Sequence, residues 1–459
     1  RAAYAASVTY CDNKILVFDY LRDRLRLGAA QARSDACLRE LEQGGLAGGL
    51  LLRGLHFAIV DEADSVLVDE ARTPLILSGP GRPDGSEEIY REALGLACAL
   101  RQGEDFLEAP DGAGFRLTPR GEWRVAQLSA GWGGVWAGVR RRHALATQAL
   151  TALHRLRRDR DYLVADGKVQ IIDPHTGRVM ADRKWSQGLQ QLVELKEGLE
   201  PSRPGETLAR ISYQRFFRRY HHLCGLSGTA REVAGELWRV YGLPVSRVPT
   251  HRPVRRSRSA PRLYATAEAK WVAVAEEVAR LRARGLAVLV GCDSVDASQT
   301  LSGVLEARGI PHQVLNARQS ADEAALVAAA GRPGQVTVTT QMAGRGTDIK
   351  LDPAVREAGG LQVLLTACQE ARRIDRQLEG RCARQGDPGR VCYLLSAEDE
   401  LVRRWRPAWL PLHLPGHAGL ALMRLWQYRA ERAAARQRHW VQRQDEQEEE
   451  LMAFAGVSE

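Results

Sequence analysis

The stretch His56–Leu77, HFAIVDEADSVLVDEARTPLIL, constrains this chain more than any other. Phe57–Val60 is a short apolar run of the kind that forms a buried parallel strand. It runs straight into Asp61 and Glu62. A parallel strand ending in two carboxylates puts them at the edge where open α/β sheets bind ligands. In a sheet that hydrolyses nucleotide, the first acid would hold Mg²⁺ through water and the second would orient the attacking water. Taken alone, the run is more simply a core strand that leaves its sheet through two solvated acids. The rest of the chain decides between the two.

Other runs repeat the pattern of a strand entering a polar loop. Ala287–Val290, within GLAVLVG, reads as a buried strand, Gly309–Ala317 as a second, and Val336–Thr340 as a third. The third runs into QMAGRGTDI. There Gly344 and Gly346 let the backbone approach a ligand, since glycine has no Cβ. Arg345 is placed to sense phosphate charge. Asp348 is a natural partner for nucleotide or for a basic group of another domain. In ARRIDRQLEGRCARQGDPG, Arg381 and Arg384 fall one helical turn apart, on one face of a short helix. An arginine finger requires a planar donor that stays charged and offers several hydrogen bonds. Surface charges on an amphipathic helix would look the same. Ser227-Gly228-Thr229-Ala230 supplies small hydroxyls that can trade hydrogen bonds between states, and equally a tight turn.

Punctuation divides the chain. SGPGRPD (78–84) is a strong boundary, and PTHRPVRRSR (249–258) is a basic, proline-bearing linker. Tyr162–Ala165 and Val169–Ile172 alternate around Asp166-Gly167, a hairpin signature. At the start, Phe18, Leu21 and Leu25 give the apolar face of an amphipathic helix. At the end, 422–450 reads as one long charged helix with Trp426, Ala433 and Trp440 as a sevenfold packing stripe.

A length of 459 residues allows two to four domains, each with its own core. The net charge of +9 permits contact with anionic lipid or nucleic acid without requiring it. Only six of the 65 basic residues are lysine, which looks like a genomic habit rather than a phosphate patch. The eight cysteines form no C-x-x-C pair, which points to reduced thiols in a cytosolic setting, with neither zinc nor disulfides. No apolar run reaches bilayer length, and no signal peptide is expected.

DEADSVLVDEARTPLILSGP resembles, almost residue for residue, the Walker-B segment of the SecA preprotein translocase ATPases. The resemblance continues in family order through TYCDNKILVFDYLRDRL, DPHTGR, the SGTA block, MAGRGTDI and RRIDRQLEGRCARQGDPG, over roughly residues 1–401. There are departures. Cys11 and Val17 replace glycines, which should stiffen a loop. Pro174 replaces an acid, Gln341 an Asn and Gln362 a His. Glu379 stands where the family has arginine, and Cys382-Ala383 replaces a small–glycine pair.

The fold so implied is α/β: two RecA-like domains of the P-loop NTPase and helicase type, the first interrupted by an α+β preprotein-binding insertion, then a helical segment. The 166 positions between Asp61 and Ser227 fit that insertion. The implied division is 1–79 and 207–250 for the first nucleotide-binding domain, 80–206 for the insertion, 251–400 for the second motor domain and 401–459 for a partial scaffold. The implied activity is ATP hydrolysis, with Mg²⁺, driving unfolded preproteins through a SecYEG-type channel. Asp61 would organise the metal, and Glu62 would be the catalytic base. Asp348, Gly344, Gly346 and Arg345 would meet nucleotide, and Arg381 and Arg384 would face phosphate. The implied location is the cytoplasm and the cytoplasmic face of the bacterial membrane, at an anionic lipid surface. A homodimer is left open, and no nucleic acid is expected.

No G-x-x-x-x-G-K-[ST] run, the loop that cradles β- and γ-phosphates, occurs in the sequence. The chain also begins without methionine. An amino-terminally truncated ATPase and a degenerate paralogue both account for this, and this chain alone is expected to be inactive. The alternative function is a catalytically dead module that binds preprotein or translocase. A superfamily-2 nucleic-acid helicase fits less well, because of the DEARTPLI continuation and the insertion.

Overall fold

In the computed structural model the apolar runs of the sequence become two separate sets of parallel strands. The structure describes residues 2–27, 50–80, 86–108, 114–165, 167–172, 179–180, 184–185, 188–202, 205–315, 323–340, 346–406 and 416–454. The chain divides into two units, 1–78 with 207–459, and 79–206.

The first part of the larger unit is thin. Strand β1 (Phe57–Asp61) pairs in parallel with β2 (His222–Leu226), and these two strands are the whole of their sheet among the described residues. Helix α1 (Asn13–Leu27) buries Val17 and Leu21 against Val60, Leu67, Tyr213 and Phe216. The helix expected at Phe18–Leu25 therefore exists, with its buried line shifted: Val17 is fully buried, whereas Leu25 is 41% exposed. Val17 sits inside the helix, so the stiffened loop inferred there is not a loop.

The second part holds a seven-stranded sheet. Its strands are β3 (Arg255–Arg258), β4 (Arg262–Tyr264), β5 (Val288–Cys292), β6 (Gln313–Leu315), β7 (Val336–Thr340), β8 (Leu361–Leu365) and β9 (Pro388–Ser396). The order is β3-β9-β8-β5-β7-β6, with β4 also beside β9, and every pairing is parallel. Runs such as VLVGC and LQVLL are continuous in apolar and β-branched residues because both faces of a parallel sheet are covered. β5, β7 and β8 are buried along their whole lengths. The chain passes from β5 out to β6, back to β7, then across β5 to β8. That reversal is the switch point where open sheets take ligands.

Several helices cover this sheet. α2 (Ala267–Ala283) starts at Thr266, whose hydroxyl accepts from the Ala269 amide. α3 (Arg372–Glu379) lies directly on β5. A Cβ at Gly291 would stand 2.0 Å from Leu378 Cδ2, so any side chain there would displace Leu378. The long helix α4 (Gly416–Phe454) buries Met423, Trp426, Ala430, Arg438, Val441 and Asp445. This corrects the expected Trp426–Ala433–Trp440 stripe, since Trp440 is 58% exposed. The buried line follows the helical period and takes in two charged residues, each paired across the contact: Arg438 with Glu236, and Asp445 with the Ser212 amide.

The smaller unit has its own core of Phe106, Trp136, Leu150, Tyr162 and Leu192. Tyr162–Ala165 and Lys168–Ile172 form the expected antiparallel hairpin, joined by Val179–Met180. Asp166 of its turn and the DPHTGR run (173–178) lie outside the described residues. Lys196 Nζ donates to the carbonyls of Ala152 (2.9 Å) and Leu156 (2.6 Å), closing a helix end onto the hairpin side.

Candidate functional site

β1 delivers Asp61 to the C-terminal end of a parallel strand, where it is exposed. Its Oδ1 accepts from the Glu62 amide at 2.9 Å. Glu62 sits at φ 50°, in the left-handed region that ordinary residues avoid. The chain turns sharply there and enters a short helical stretch that carries Asp64 and Asp69 inward.

Asp64 is fully buried and collects the site. Its carboxylate accepts from Ser227 Oγ (2.6 Å), Thr229 Oγ1 (2.7 Å) and Gln377 Nε2 (3.0 Å). Arg373 Nη1 reaches the same carboxylate at 3.4 Å. Arg373, also fully buried, forks onto Asp69 and donates from Nε to Glu431 of α4 at 3.5 Å. Burial alone would lower the Arg373 pKa. The hydrogen bond and charge of Asp69, then the charges of Glu431 and Asp64, hold it above the usual guanidinium value. Burial raises the Glu431 carboxyl. One guanidinium thus joins the DEAD stretch, α3 and the long helix, with the Ser227–Thr229 loop on the same acid. A network this buried is stable only while every member is present.

The second cluster follows β7 and α3. Arg384 Nη1 donates to Asp348 Oδ1 at 2.8 Å, and its Nε donates to the Gly380 carbonyl at 2.9 Å. Arg381 Nη1 donates to the Thr347 carbonyl at 3.0 Å. Gly346, at φ 81°, opens this segment. Asp348, Gly346, Arg381 and Arg384 are therefore brought together. Gly344 and Arg345 lie outside the described residues. The two arginines are not on a helix, as the spacing suggested. α3 ends at Glu379, and Ala383 (φ 57°) and Gln385 (φ 54°) are left-handed, which no right-handed helix accommodates.

Sequence reasoning missed Asp64, Asp69, Arg373, Gln377 and Glu431 as one group. A faint signal was available: two acids stand in the apolar run ADSVLVDE, and a buried acid needs a partner. The partners lie up to 313 positions away. A further buried acid lies on α3 itself. Asp375 accepts from the Gln369 amide (2.9 Å) and from Gln427 Nε2 of α4 (2.6 Å). Burial pushes it up to about 7, with Glu379 adding to the rise, while its two hydrogen bonds and Arg424 oppose it.

Comparison with known proteins gives a consistent result. Residues 1–238 match the family model of the SecA DEAD-like domain, and 253–355 and 352–411 match that of the SecA P-loop domain. The chain is 48% identical to protein translocase subunit SecA 2 of Bordetella avium, an alignment covering 99% of this chain and 70% of that protein. It is 45% identical to protein translocase subunit SecA 3 of Magnetococcus marinus, covering 100% and 71%. It is 43% identical to protein translocase subunit SecA 2 of Chlorobium chlorochromatii, covering 99% and 71%.

Proposed function

The chain belongs to the SecA family of protein translocase subunits, and on that premise we propose that it is the motor part of an ATP-driven translocase. The reading is that ATP hydrolysis, with Mg²⁺, moves unfolded preproteins through a SecYEG-type channel at the cytoplasmic face of the membrane. The observation that carries it is the Asp64 node. Asp61 and Glu62, the acids suited to hydrolysis, stand two or three positions before an acid gripped by Arg373 and Gln377 of the other motor half. Whatever moves one side is felt by the other.

The donor set suits the metal. Asp61 is an exposed carboxylate at the strand end, of the kind Mg²⁺ takes while keeping most of its water. ATP supplies the transferable phosphoryl group when bound. Asp61 would hold Mg²⁺, and Glu62 would orient the attacking water as base. Asp348 and the Gly344–Gly346 segment with Arg345 would meet nucleotide. Arg381 and Arg384 would turn towards phosphate, which requires Arg384 to exchange Asp348 for the ligand. Residues 80–206 would receive preprotein. Residues 1–79 with 207–250, and 251–400, would be the two motor domains, and 401–459 part of a scaffold. Among the described residues no helix is long and apolar enough to cross a membrane. Attachment to the membrane would be peripheral, with anionic lipid beneath a basic chain.

A second reading is a module that holds preprotein without hydrolysing ATP. The test is a translocation assay with the intact protein from its own cells. Channel-bearing vesicles and an unfolded preprotein are mixed with or without ATP, and protease protection of the preprotein is read. ATP-dependent protection is the expected result. Preprotein binding with neither ATP binding nor protection would replace the motor by the holding module.

A further inference from the structure

Glu379, the acid where the family carries arginine, has a partner the sequence did not suggest. Its side chain is 5% exposed at the end of α3. Oε2 accepts from Arg258 Nη2 at 2.6 Å, and Oε1 accepts from the Tyr393 hydroxyl at 2.8 Å. Arg258 belongs to β3, the linker strand that leads from the first motor half into the second. Two more linker arginines reach the same turn. Arg256 Nη2 donates to the Cys382 carbonyl at 3.1 Å, and Arg252 Nη1 donates to the Gln385 carbonyl at 3.2 Å. These carbonyls bracket left-handed Ala383 and the Arg384 beside it. β3 itself runs in register with β9, Arg255 opposite Pro388 through Arg258 opposite Val391.

The geometry points to Arg258, acting through Glu379, as a positioning residue for the Arg381–Arg384 turn, with Arg256 and Arg252 holding the same turn by its carbonyls. The inference rests on the reading of Arg381 and Arg384 as the phosphate-facing arginines. Its physical content is separate. A turn with two left-handed non-glycine residues does not hold itself. Here it is fixed from outside by the segment that tethers the opposite motor half. A displacement of that half pulls the linker, and the linker moves the turn. The reversed charge at Glu379 is then no erosion of the motif. It is the anchor for the linker's cation, and burial keeps the Tyr393 hydroxyl protonated as a donor to it.

The test compares Arg258→Glu, Glu379→Arg and the double swap in the intact protein, with Arg381→Ala as reference. Two quantities are read: hydrogen exchange of the 380–386 amides, and kcat and KM for ATP. Each single reversal should speed exchange at 380–386 and lower kcat by about ten- to a hundredfold, the scale of a misplaced transition-state group, with KM nearly constant. The swap should return both towards the parent. A role confined to satisfying a buried acid would lower the melting temperature and leave kcat of the folded fraction unchanged. Arg258→Lys, which keeps the charge and disturbs folding least, should retain most of kcat. Exchange at 380–386 unaltered in the folded single reversals would overturn the inference. So would altered exchange with parental kcat while Arg381→Ala loses activity. Parental kcat in Arg381→Ala, where the Arg258–Glu379 pair is intact, would instead remove the phosphate reading and leave the pair nothing to position.

Discussion

β1 and β5 are built from nearly the same kind of residues and meet opposite fates. In β1, Phe57 is 56% and Ile59 65% exposed, and Leu226 of its partner β2 is 62% exposed. In β5, every residue is buried. FAIV and VLVG carry the same signal, so the difference lies in the neighbours. β5 has parallel strands on both edges and α3 on its face, whereas among the described residues β1 has β2 on one edge. A buried strand was expected at Phe57–Val60, and only Val60 is buried. A strand's burial is decided by the sheet around it, because the apolar run states only what the strand can tolerate. The second half stands on its own core. The first half has a core of its own, built by α1, the short Tyr213–Phe217 helix and the 60–75 stretch, and is joined to the second by the charged seam at Arg373.

The largest effect should come from that seam. Arg373→Met removes the cation that Asp64, Asp69 and Glu431 share, leaving Asp69 its longer contact with Arg72, at a cost of about 3–5 kcal/mol, the usual penalty for breaking a buried ion pair. Hydrogen exchange should quicken at β1, β2 and 227–229 while β5, β7 and β8 keep their protection. Uniform loss across both halves would break the comparison.

Paired truncations sharpen it. Leu364→Ala, at a site 1% exposed, should cost about 2–5 kcal/mol in urea unfolding. Ile59→Ala should stay within about 0.5 kcal/mol. Equal costs would mean that β1 is covered in solution.

The second half carries a buried group that makes stability fall as pH rises. Burial pushes the Asp375 carboxyl up to about 7 from the ordinary carboxylate range. Folding therefore favours its protonated form. The contribution is complete below the unfolded value and is lost as pH rises through about 7, by an amount on the order of a few kcal/mol. Asp375→Asn should flatten this decline between about pH 4 and 8, after Asp399, raised by burial to about 6, has contributed equally to both proteins. A parallel decline in the variant would refute the assignment. The smallest effect is local. Ala383→Gly should stabilise by about 1 kcal/mol, since a left-handed alanine costs that much, read as a rise in the urea midpoint. A fall would show that the turn is not strained.

The sequence made the sheet of the second half plain. Val336–Thr340 stands at the expected bounds, and Val288–Cys292 lies close to them. These runs are long, β-branched and bounded by polar loops, so local chemistry specifies them. The pairing of Asp348 with Arg384 was partly legible, since Asp348 was read as a partner for nucleotide or a basic group and Arg384 as an arginine facing phosphate. The Asp64 node was not, because its hydrogen bonds join residues 163 to 313 positions apart and no local pattern encodes them. The Arg381–Arg384 turn was misread as helix for a local reason. With alanine at 383, the run offers helix propensity where the backbone needs a left-handed turn. On α4 the buried line was misassigned because polar residues such as Arg438 and Asp445 occupy it, and their partners lie on other elements.

The central claim is that the acids at the end of β1 hydrolyse nucleotide in a motor whose halves meet at Asp64. It is tested most directly by Glu62→Gln in the intact protein, with ATP binding and steady-state turnover measured side by side. The account predicts ATP binding within a few-fold of the parent and turnover reduced by at least about a hundredfold, the usual loss when a general base is removed. Turnover equal to the parent's would contradict it and take Glu62 out of the mechanism.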